Sequence, residues 1–182
     1  MAVISNGTTL IDAGALDSGV ATGEVVHIKT LTASSSANLS FVHGSSGVVL
    51  DGTYKEYIFK YINIHPASVA QLVFNLSTDS GSNYNVTKTT TSWRAFHNEA
   101  GNDTGLSYAD NDLSQGTGAQ VLSASNSVGS DTDQACCGHL TIYNAASTTH
   151  VKHFQAETQF SHLSDYAVRD FVGGYANTTS AL

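Results

Sequence analysis

Two acidic triplets, Asp110-Asn111-Asp112 and Asp131-Thr132-Asp133, are the residues of this chain whose type and spacing best suit metal chemistry. Each lies in a long segment rich in Gly, Asn, Asp and Ser, and an oxygen-rich loop can bind Ca²⁺, which takes about six to eight oxygen ligands. Neither triplet matches the Asp-x-Asp-x-Asp-Gly pattern, and aspartate also serves simply to form turns. The candidate calcium ligands are Asp110, Asp112, Asp131 and Asp133, and we expect no resident cofactor.

The eight histidines and two cysteines show no spacing that favours a transition-metal site. His150 and His153 would point to opposite faces of a strand, and no Cys-x-x-Cys pair occurs. Cys136 and Cys137 are adjacent, so their side chains would also point to opposite faces of a strand. A disulfide between neighbours requires a strained turn. The sequence therefore predicts two reduced thiols, at least one of them buried, and structural or surface roles for the histidines.

Motifs of the common enzyme classes do not occur in the sequence. It contains no Gly-x-Ser-x-Gly elbow, no phosphate-binding loop and no dinucleotide fingerprint. Glycoside cleavage needs two carboxyl groups roughly 5 to 10 Å apart. Because Glu56 and Glu157 lie in predicted strands, a polysaccharide hydrolase stays open as a minor alternative. We expect a protein that is not an enzyme.

Aromatic side chains suggest a different chemistry, because aromatic rings stack on sugars. The residues that could form such a platform are Tyr54, Tyr57, Phe59, Tyr61, Phe74, Tyr84, Trp93 and Phe96. The simpler interpretation of this set is a hydrophobic core with cross-strand pairs. Tyr84 and Tyr108 lie near or in predicted loops, so these two are the candidate ligand-binding residues.

The segment from Leu50 to Gly81 shows most clearly which elements position these residues. It predicts two strands joined by a turn that carries the only proline, Pro66, and it ends in a Ser-Thr-Asp-Ser-Gly turn. In the first strand Tyr57, Phe59 and Tyr61 fall on one face, and Ile58, Lys60 and Ile62 fall on the other. In the second strand Leu72, Phe74 and Leu76 alternate with Val73 and Asn75. This period of two is typical of β-sheet.

Strand patterns bounded by turn residues recur along most of the chain, and helical patterns are rare. The predicted strands are Glu24–Leu31, Ala37–His43, Val48–Leu50, Lys55–Ile64, Gln71–Leu76, Val86–His97, Gln120–Ser123, His139–Asn144, His150–Thr158 and Asp170–Tyr175. Residues 98–118 and 123–134 are predicted loops, and residues 163–169 are the one place for a short helical turn. This pattern predicts an all-β fold, a two-sheet antiparallel sandwich of jelly-roll type. We expect a single domain over residues 1–182, in which residues 1–23 form an N-terminal arm or attachment segment.

Composition restricts the partners of this chain. Its 182 residues include only 12% charged residues, and the formal net charge is -8, with 15 acidic against 7 basic side chains. Without a basic cluster, binding to nucleic acid is disfavoured, and so is binding to an anionic membrane. No apolar run approaches the roughly 20 residues of a membrane span. The first residues show no charged region followed by an apolar one, so no secretory signal is expected.

The same 50–81 segment resembles the jelly-roll virion proteins of tailed marine bacteriophages. The elements that carry the resemblance are, in order, Asp51, Thr53-Tyr54, the aromatic strand from Tyr57 to Tyr61, the corner from Asn63 to Pro66, the strand from Leu72 to Leu76, and the hairpin from Ser77 to Gly81. Members of that family continue with one more hairpin that closes the sheet. The resemblance therefore implies a strand pair beyond Leu182, or one supplied by a neighbouring subunit.

The resemblance also implies a function. It predicts a structural protein on the outer surface of a virion, either a tail-fibre-like appendage or a capsid decoration, made in the host cytoplasm. Its partners would be other virion proteins and copies of itself, through oligomeric protein–protein contacts. A carbohydrate- or receptor-binding module of a tail fibre is the alternative, with a host surface glycan as the ligand.

Overall fold

The computed structural model describes residues 3–5, 8–12, 15–16, 25–123 and 128–182. Across these residues the secondary structure is all β, and the strand pairs are antiparallel. None of the described residues belongs to a helix that could cross a membrane. The chain divides into two compact units, Met1–Thr30 and Leu31–Leu182.

The first unit contains a small antiparallel sheet. Its strands are β1 (Val3–Ser5), β2 (Thr8–Asp12) and β3 (Ala15–Leu16), in the order β1-β2-β3. Residues 25–30 are irregular chain, in which the His27 ring and the Thr30 hydroxyl are hydrogen-bonded at 2.9 Å. The predicted arm, residues 1–23, thus includes β-structure of its own.

The second unit is built on a six-stranded sheet in the order β4-β9-β10-β11-β6-β7. Its strands are β4 (Glu56–Ile64), β6 (Lys88–Asn98), β7 (Thr104–Tyr108), β9 (Cys136–Tyr143), β10 (Lys152–His162) and β11 (Tyr166–Ala176). A two-stranded sheet pairs β5 (Val73–Phe74) with β8 (Gln120–Val121). The β9-β10-β11 part is a meander of consecutive strands, and β4 and the β6-β7 hairpin flank it on either side.

The large sheet has an inner face that is buried and an outer face that is open to solvent. In β10, Phe154 and Phe160 point inward and are 1% and 2% exposed, while Gln155 and Gln159 point outward and are exposed. In β4 the alternation follows the prediction: Tyr57 is buried, and Ile58 and Ile62 are 46% and 71% exposed. The predicted separation of the adjacent thiols is also confirmed, because Cys136 is buried and Cys137 is half-buried on the other face.

A second layer of mostly irregular chain covers the inner face. Phe74 of β5 packs edge-on against Phe154, with ring centroids 5.0 Å apart. The Thr90 hydroxyl on β6 donates to the Gln120 side chain of β8 at 2.6 Å. Val128 joins this layer to the main sheet by bridges to Ala70 and His162. Among the described residues of this layer only two short strands are regular, so the structure is all β and does not confirm the finer jelly-roll topology.

The interior includes charged residues as well as apolar ones. Lys88 and Lys152 have no exposed surface. The Lys88 ammonium donates to Asn75 Oδ1 at 2.6 Å and to the Val86 carbonyl at 2.7 Å, and burial lowers the pKa of Lys88 to about 8. The Lys152 ammonium donates to the carbonyls of Ser147 and Thr178, and burial lowers its pKa as well. Both lysines therefore use their hydrogen-bond donors inside the fold, where unpaired charge would be costly.

Three strands predicted between residues 24 and 50 are wrong. Residues 25–31, 37–43 and 48–50 are irregular, and Glu24 lies outside the described residues. In the second unit, Phe41 covers the sheet instead of extending it, because it packs edge-on against Phe59 of β4 with ring centroids 5.3 Å apart. A turn closed by the Val48 carbonyl, which accepts from the Gly44 N–H, interrupts the alternation.

Two further predictions need correction. The predicted loop at residues 98–118 contains strand β7, which pairs with β6 from Trp93–Tyr108 to His97–Thr104. The short helical turn predicted at residues 163–169 is instead a tight hairpin followed by the start of β11. Asp165 has a φ of 59° in that hairpin, a conformation that ends β10 and reverses the chain. The predicted loop at residues 123–134 is described only in part, because residues 124–127 lie outside the described residues.

Candidate ligand-binding face

A row of aromatic side chains crosses the outer face of the large sheet. Tyr108 on β7 is paired in register with Trp93 on β6, which is paired in turn with Phe171 on β11. Because neighbouring strands lie about 4.8 Å apart, these three side chains stand side by side on one face. The Trp93 and Phe171 rings stack with centroids 3.9 Å apart and planes inclined by 12°. One face of the indole is thereby supported by Phe171.

Two charged residues, Arg169 and Glu157, lie next to Phe171 on the outer face. The Arg169 guanidinium lies 5.3 Å from the centroid of the Phe171 ring, a cation–π contact, and it donates to the Glu157 carboxylate. Glu157 is the register partner of Phe171 on β10. This ion pair neutralises both charges next to the aromatic row, although its exposure makes it worth little in stability.

A slot about 400 Å³ in volume opens between Trp93 and Tyr108. It is lined by Trp93, Leu106, Ser107 and Tyr108. Trp93, Leu106 and Tyr108 are 44%, 71% and 56% exposed. The Tyr108 hydroxyl donates to Asp112 Oδ2 at 2.8 Å, and this hydrogen bond raises the pKa of Tyr108, while a hydrogen bond with Thr91 acts in the opposite direction. Asp112 thus fixes the phenol ring that forms one wall of the slot.

A trough about 600 Å³ in volume lies next to the slot on the same face. Its lining includes Thr89 and Thr91 of β6, Gln155 and His153 of β10, Tyr143 of β9, and Gly173 and Tyr175 of β11. Gly173 lies between Thr91 and Gln155 in the register of the sheet. A Cβ added at Gly173 would meet no atom within 4 Å, so the missing side chain leaves open space above the strand.

Of the two predicted ligand-binding tyrosines, only Tyr108 lies in these depressions. Tyr84 is 41% exposed, but it lines neither the slot nor the trough. Its carbonyl accepts from the Asn75 side chain at 2.6 Å, so the position contributes to the packing of a loop. The sequence pattern near loops therefore identified one residue of the site and also one residue outside it.

The four predicted calcium ligands are spread over two loops. Asp112 accepts the Tyr108 hydroxyl, and Asp110 is exposed beside it. Asp131 and Asp133 belong to a turn in which the Gln134 N–H donates to the Asp131 carbonyl at 2.8 Å. Within the part of the chain that the structure describes, no group of three or more His, Cys, Asp or Glu side chains could hold a metal ion.

The two glutamates considered for hydrolysis are far apart on the outer face. Glu56 pairs with Tyr143, and Glu157 pairs with His139, four residues away along β9. Two strand spacings across and four residues along place their Cα atoms roughly 17 Å apart, beyond the roughly 5 to 10 Å that paired catalytic carboxyl groups need. Glu157 is also occupied by Arg169.

Sequence reasoning missed Phe171, Gly173 and Gln155 as parts of the site. Phe171 and Gly173 pair with β6 residues about 80 positions earlier in the chain, and Gln155 pairs with a β11 residue 18 positions later. Sequence alone does not give this register. One signal in the sequence was available. Three threonines, Thr89, Thr90 and Thr91, precede the only tryptophan, so the outer side of this strand carries hydroxyl groups beside an aromatic ring.

Comparison with known proteins adds no assignment. No family model, no curated protein and no solved structure matches this chain. The function must therefore be argued from the face itself.

Proposed function

We propose that this chain is a non-catalytic, jelly-roll-related structural module on the outer surface of a bacteriophage virion. Its resemblance to virion proteins over residues 50–81 supports the location, and its low charge and all-β structure are typical of such modules. It acts by surface contact, with other virion proteins and with copies of itself as partners. The location is a tail-fibre-like appendage or the head surface.

The observation that carries this proposal is the open outer face of the six-stranded sheet. Large apolar side chains are exposed at both edges of that face: Ile58 and Ile62 on β4, and Leu106 on β7, of which Ile62 and Leu106 are each 71% exposed. Exposed apolar patches on a folded protein mark surfaces that bind a partner. An edge strand also presents unpaired backbone groups that a neighbouring chain can extend.

The β4 edge is the better candidate for a contact between protein subunits. Ile58 and Ile62 flank Lys60 on the outer side, and the pairing with β9 is irregular between Tyr61 and Ile64. This irregularity and the lysine disfavour open-ended strand addition, so the edge suits a limited, closed interface instead of a fibre. Burial of the two isoleucines would supply the apolar centre of that interface.

A carbohydrate-binding module of a tail fibre is the second candidate function. The specific observation in its favour is the slot between Trp93 and Tyr108 at the opposite, β7 edge of the sheet. The two candidates use different edges, so one protein can perform both. A polysaccharide hydrolase gains no support from the separation of Glu56 and Glu157.

Antibody-gold labelling of purified particles tests the virion location. Particles from a lysate that produces this chain should carry label either at the tail and its fibres or over the head. The matched control is an antibody against a cytoplasmic host protein on the same grids. Label restricted to the free lysate, with bare particles, would refute the structural proposal.

Analytical ultracentrifugation tests the proposed subunit contact. The wild-type chain should sediment as an oligomer, and the Ile58→Ser/Ile62→Ser variant should dissociate toward the monomer. Leu106→Ser removes an equally exposed apolar group from the opposite edge and should leave the oligomer intact. A wild-type chain that is monomeric at every concentration tested would contradict a self-contact through β4.

A further inference from the structure

We infer that the slot and the trough together form a binding site for an uncharged glycan chain. This inference deepens the second candidate function and rests on it. The sequence assigned no ligand to the trough, which extends the site from a single tyrosine to a surface on five strands.

The register of the sheet places the two depressions next to each other. Trp93 and Thr91 both point outward from β6 and are two residues apart, and their partners on β11 are Phe171 and Gly173. Tyr175, at the far end of the trough, is four residues beyond Phe171. At about 3.4 Å per residue, the site runs roughly 14 Å along β11, which is long enough for more than one sugar ring.

The slot supplies a stacking surface. One face of Trp93 is backed by Phe171, while the depression lies on the side of Tyr108. The face of an aromatic ring is electron-rich, and the C–H groups of a sugar ring are weakly positive, so the two attract. Because Phe171 and the Tyr108–Asp112 hydrogen bond already hold the walls, little side-chain freedom would be lost on binding.

The trough supplies hydrogen bonds without charge. The hydroxyls of Thr91 and Tyr175 and the amide of Gln155 are neutral donors and acceptors, which match the hydroxyls of a sugar. Among the residues that the structure describes, no Lys, Arg, Asp or Glu lines either depression, and His153 is the one basic side chain of the trough. The nearest ion pair, Arg169 with Glu157, is internally neutralised. A phosphate, sulfate or uronate would find no Lys or Arg in the lining and only one imidazole, that of His153, so the chemistry of the face favours an uncharged glycan.

Gly173 provides a test that leaves the fold in place. A Cβ at this position meets nothing within 4 Å, and Gly173 has no positive φ, so valine fits the strand and fills the trough. Gly118 has the same free surroundings but lines neither depression, so Gly118→Val is the matched control. Circular dichroism and thermal melts would verify that both variants are folded.

Trp93 also provides the readout, because it is the only tryptophan of the chain. The purified protein would be titrated with soluble, uncharged oligosaccharides of glucose, mannose and galactose, with alginate and carrageenan oligosaccharides as charged probes. We expect a saturable change in tryptophan fluorescence with at least one uncharged probe. The affinity should be unchanged between low and high salt, because screening acts on charges.

The variants then locate the site. Gly173→Val should weaken binding at least roughly tenfold, and Gly118→Val should bind as the wild type does. Trp93→Ala, measured by calorimetry, should also lose roughly tenfold, the size expected for one aromatic stacking contact. Both losses would support a site that spans the slot and the trough.

Several results would overturn the inference. These are binding of none of the uncharged probes, salt-sensitive binding of the charged probes alone, or equal affinity in the wild type and Gly173→Val. Self-association that Trp93→Ala abolishes would instead assign the face to a second copy of the chain. The titration uses the purified protein, so its failure is distinguishable from bare particles in the gold-labelling experiment, which tests the virion location alone.

Discussion

The buried ammonium of Lys88 should contribute a stability that increases as the pH rises above about 8. Burial lowers the pKa of Lys88 from 10.5 to about 8 in the folded state. The unfolded chain therefore binds more protons than the folded chain between these two values. Stability contributed by this group is lowest below pH 8 and rises as the pH increases toward 10.5.

The magnitude follows from the two pKa values. With a folded pKa of about 8, the change from pH 7 to about pH 9.5 should stabilise the folded state by about 2 kcal/mol through Lys88 alone. Other groups oppose this trend: burial raises the pKa of Cys136 and of Tyr61 to about 12. Folded-state pKa values above the unfolded ones reduce stability as the pH rises past about 9, so the wild-type curve alone does not isolate Lys88.

A comparison with Lys88→Met isolates this contribution, because the other groups are common to both proteins. Urea unfolding at pH 7 and at about pH 9.5 gives the free energy of unfolding of each. The difference, wild type minus variant, should grow by about 2 kcal/mol over that range. The variant keeps Asn75 Oδ1 satisfied, because that oxygen also accepts the Leu76 N–H at 2.9 Å. Parallel pH profiles for the two proteins would refute the burial of a charged Lys88.

Three further predictions concern the sheet itself. Gly138→Ala should destabilise the protein strongly, because the added Cβ would lie 2.1 Å from the Glu157 carbonyl oxygen. Gly173→Ala should be tolerated, because its Cβ would meet no atom within 4 Å, and thermal melts compare the two variants directly. In the folded protein Cys137 should react with a thiol reagent and Cys136 should not, because burial keeps the Cys136 thiol protonated. Mass spectrometry detects the modification, and equal rates at the two cysteines would contradict this prediction. Phe154→Ala should lower the free energy of unfolding by about 3 to 5 kcal/mol, because the ring is 1% exposed; a loss below about 1 kcal/mol in urea titration would argue against its place in the core.

The strands with strict alternation were predictable from sequence. β4 and the first part of β6 follow their patterns closely, because one face of each meets the buried interior and the other meets solvent. The irregular segment at residues 31–50 of the second unit was not predictable, since its Phe41 contacts the sheet without strand pairing. Strand β7 was hidden by neighbouring glycines and polar residues, although Leu106 and Tyr108 repeat at period two.

The binding face was less predictable than the fold. Tyr108 was identified from its place in a polar segment, and Trp93 was considered as part of a sugar-binding platform. The partners that complete the surface, Phe171 and Gly173, depend on the pairing of β6 with β11. Register between strands far apart in sequence is set by the packed interior, and no local pattern records it.

The order of strands in the large sheet also determines how the protein can assemble. The β9-β10-β11 meander and the β6-β7 hairpin pair neighbours in sequence, so each can form with little loss of chain entropy. β4 pairs with β9, which lies about 80 residues further along the chain, and β6 pairs with β11 over a similar separation. Both pairings therefore cost more chain entropy. The aromatic row spans the β6–β11 junction. Its formation therefore reports the closure of one of the two long-range pairings, and the fluorescence of Trp93 would follow that step of folding in time.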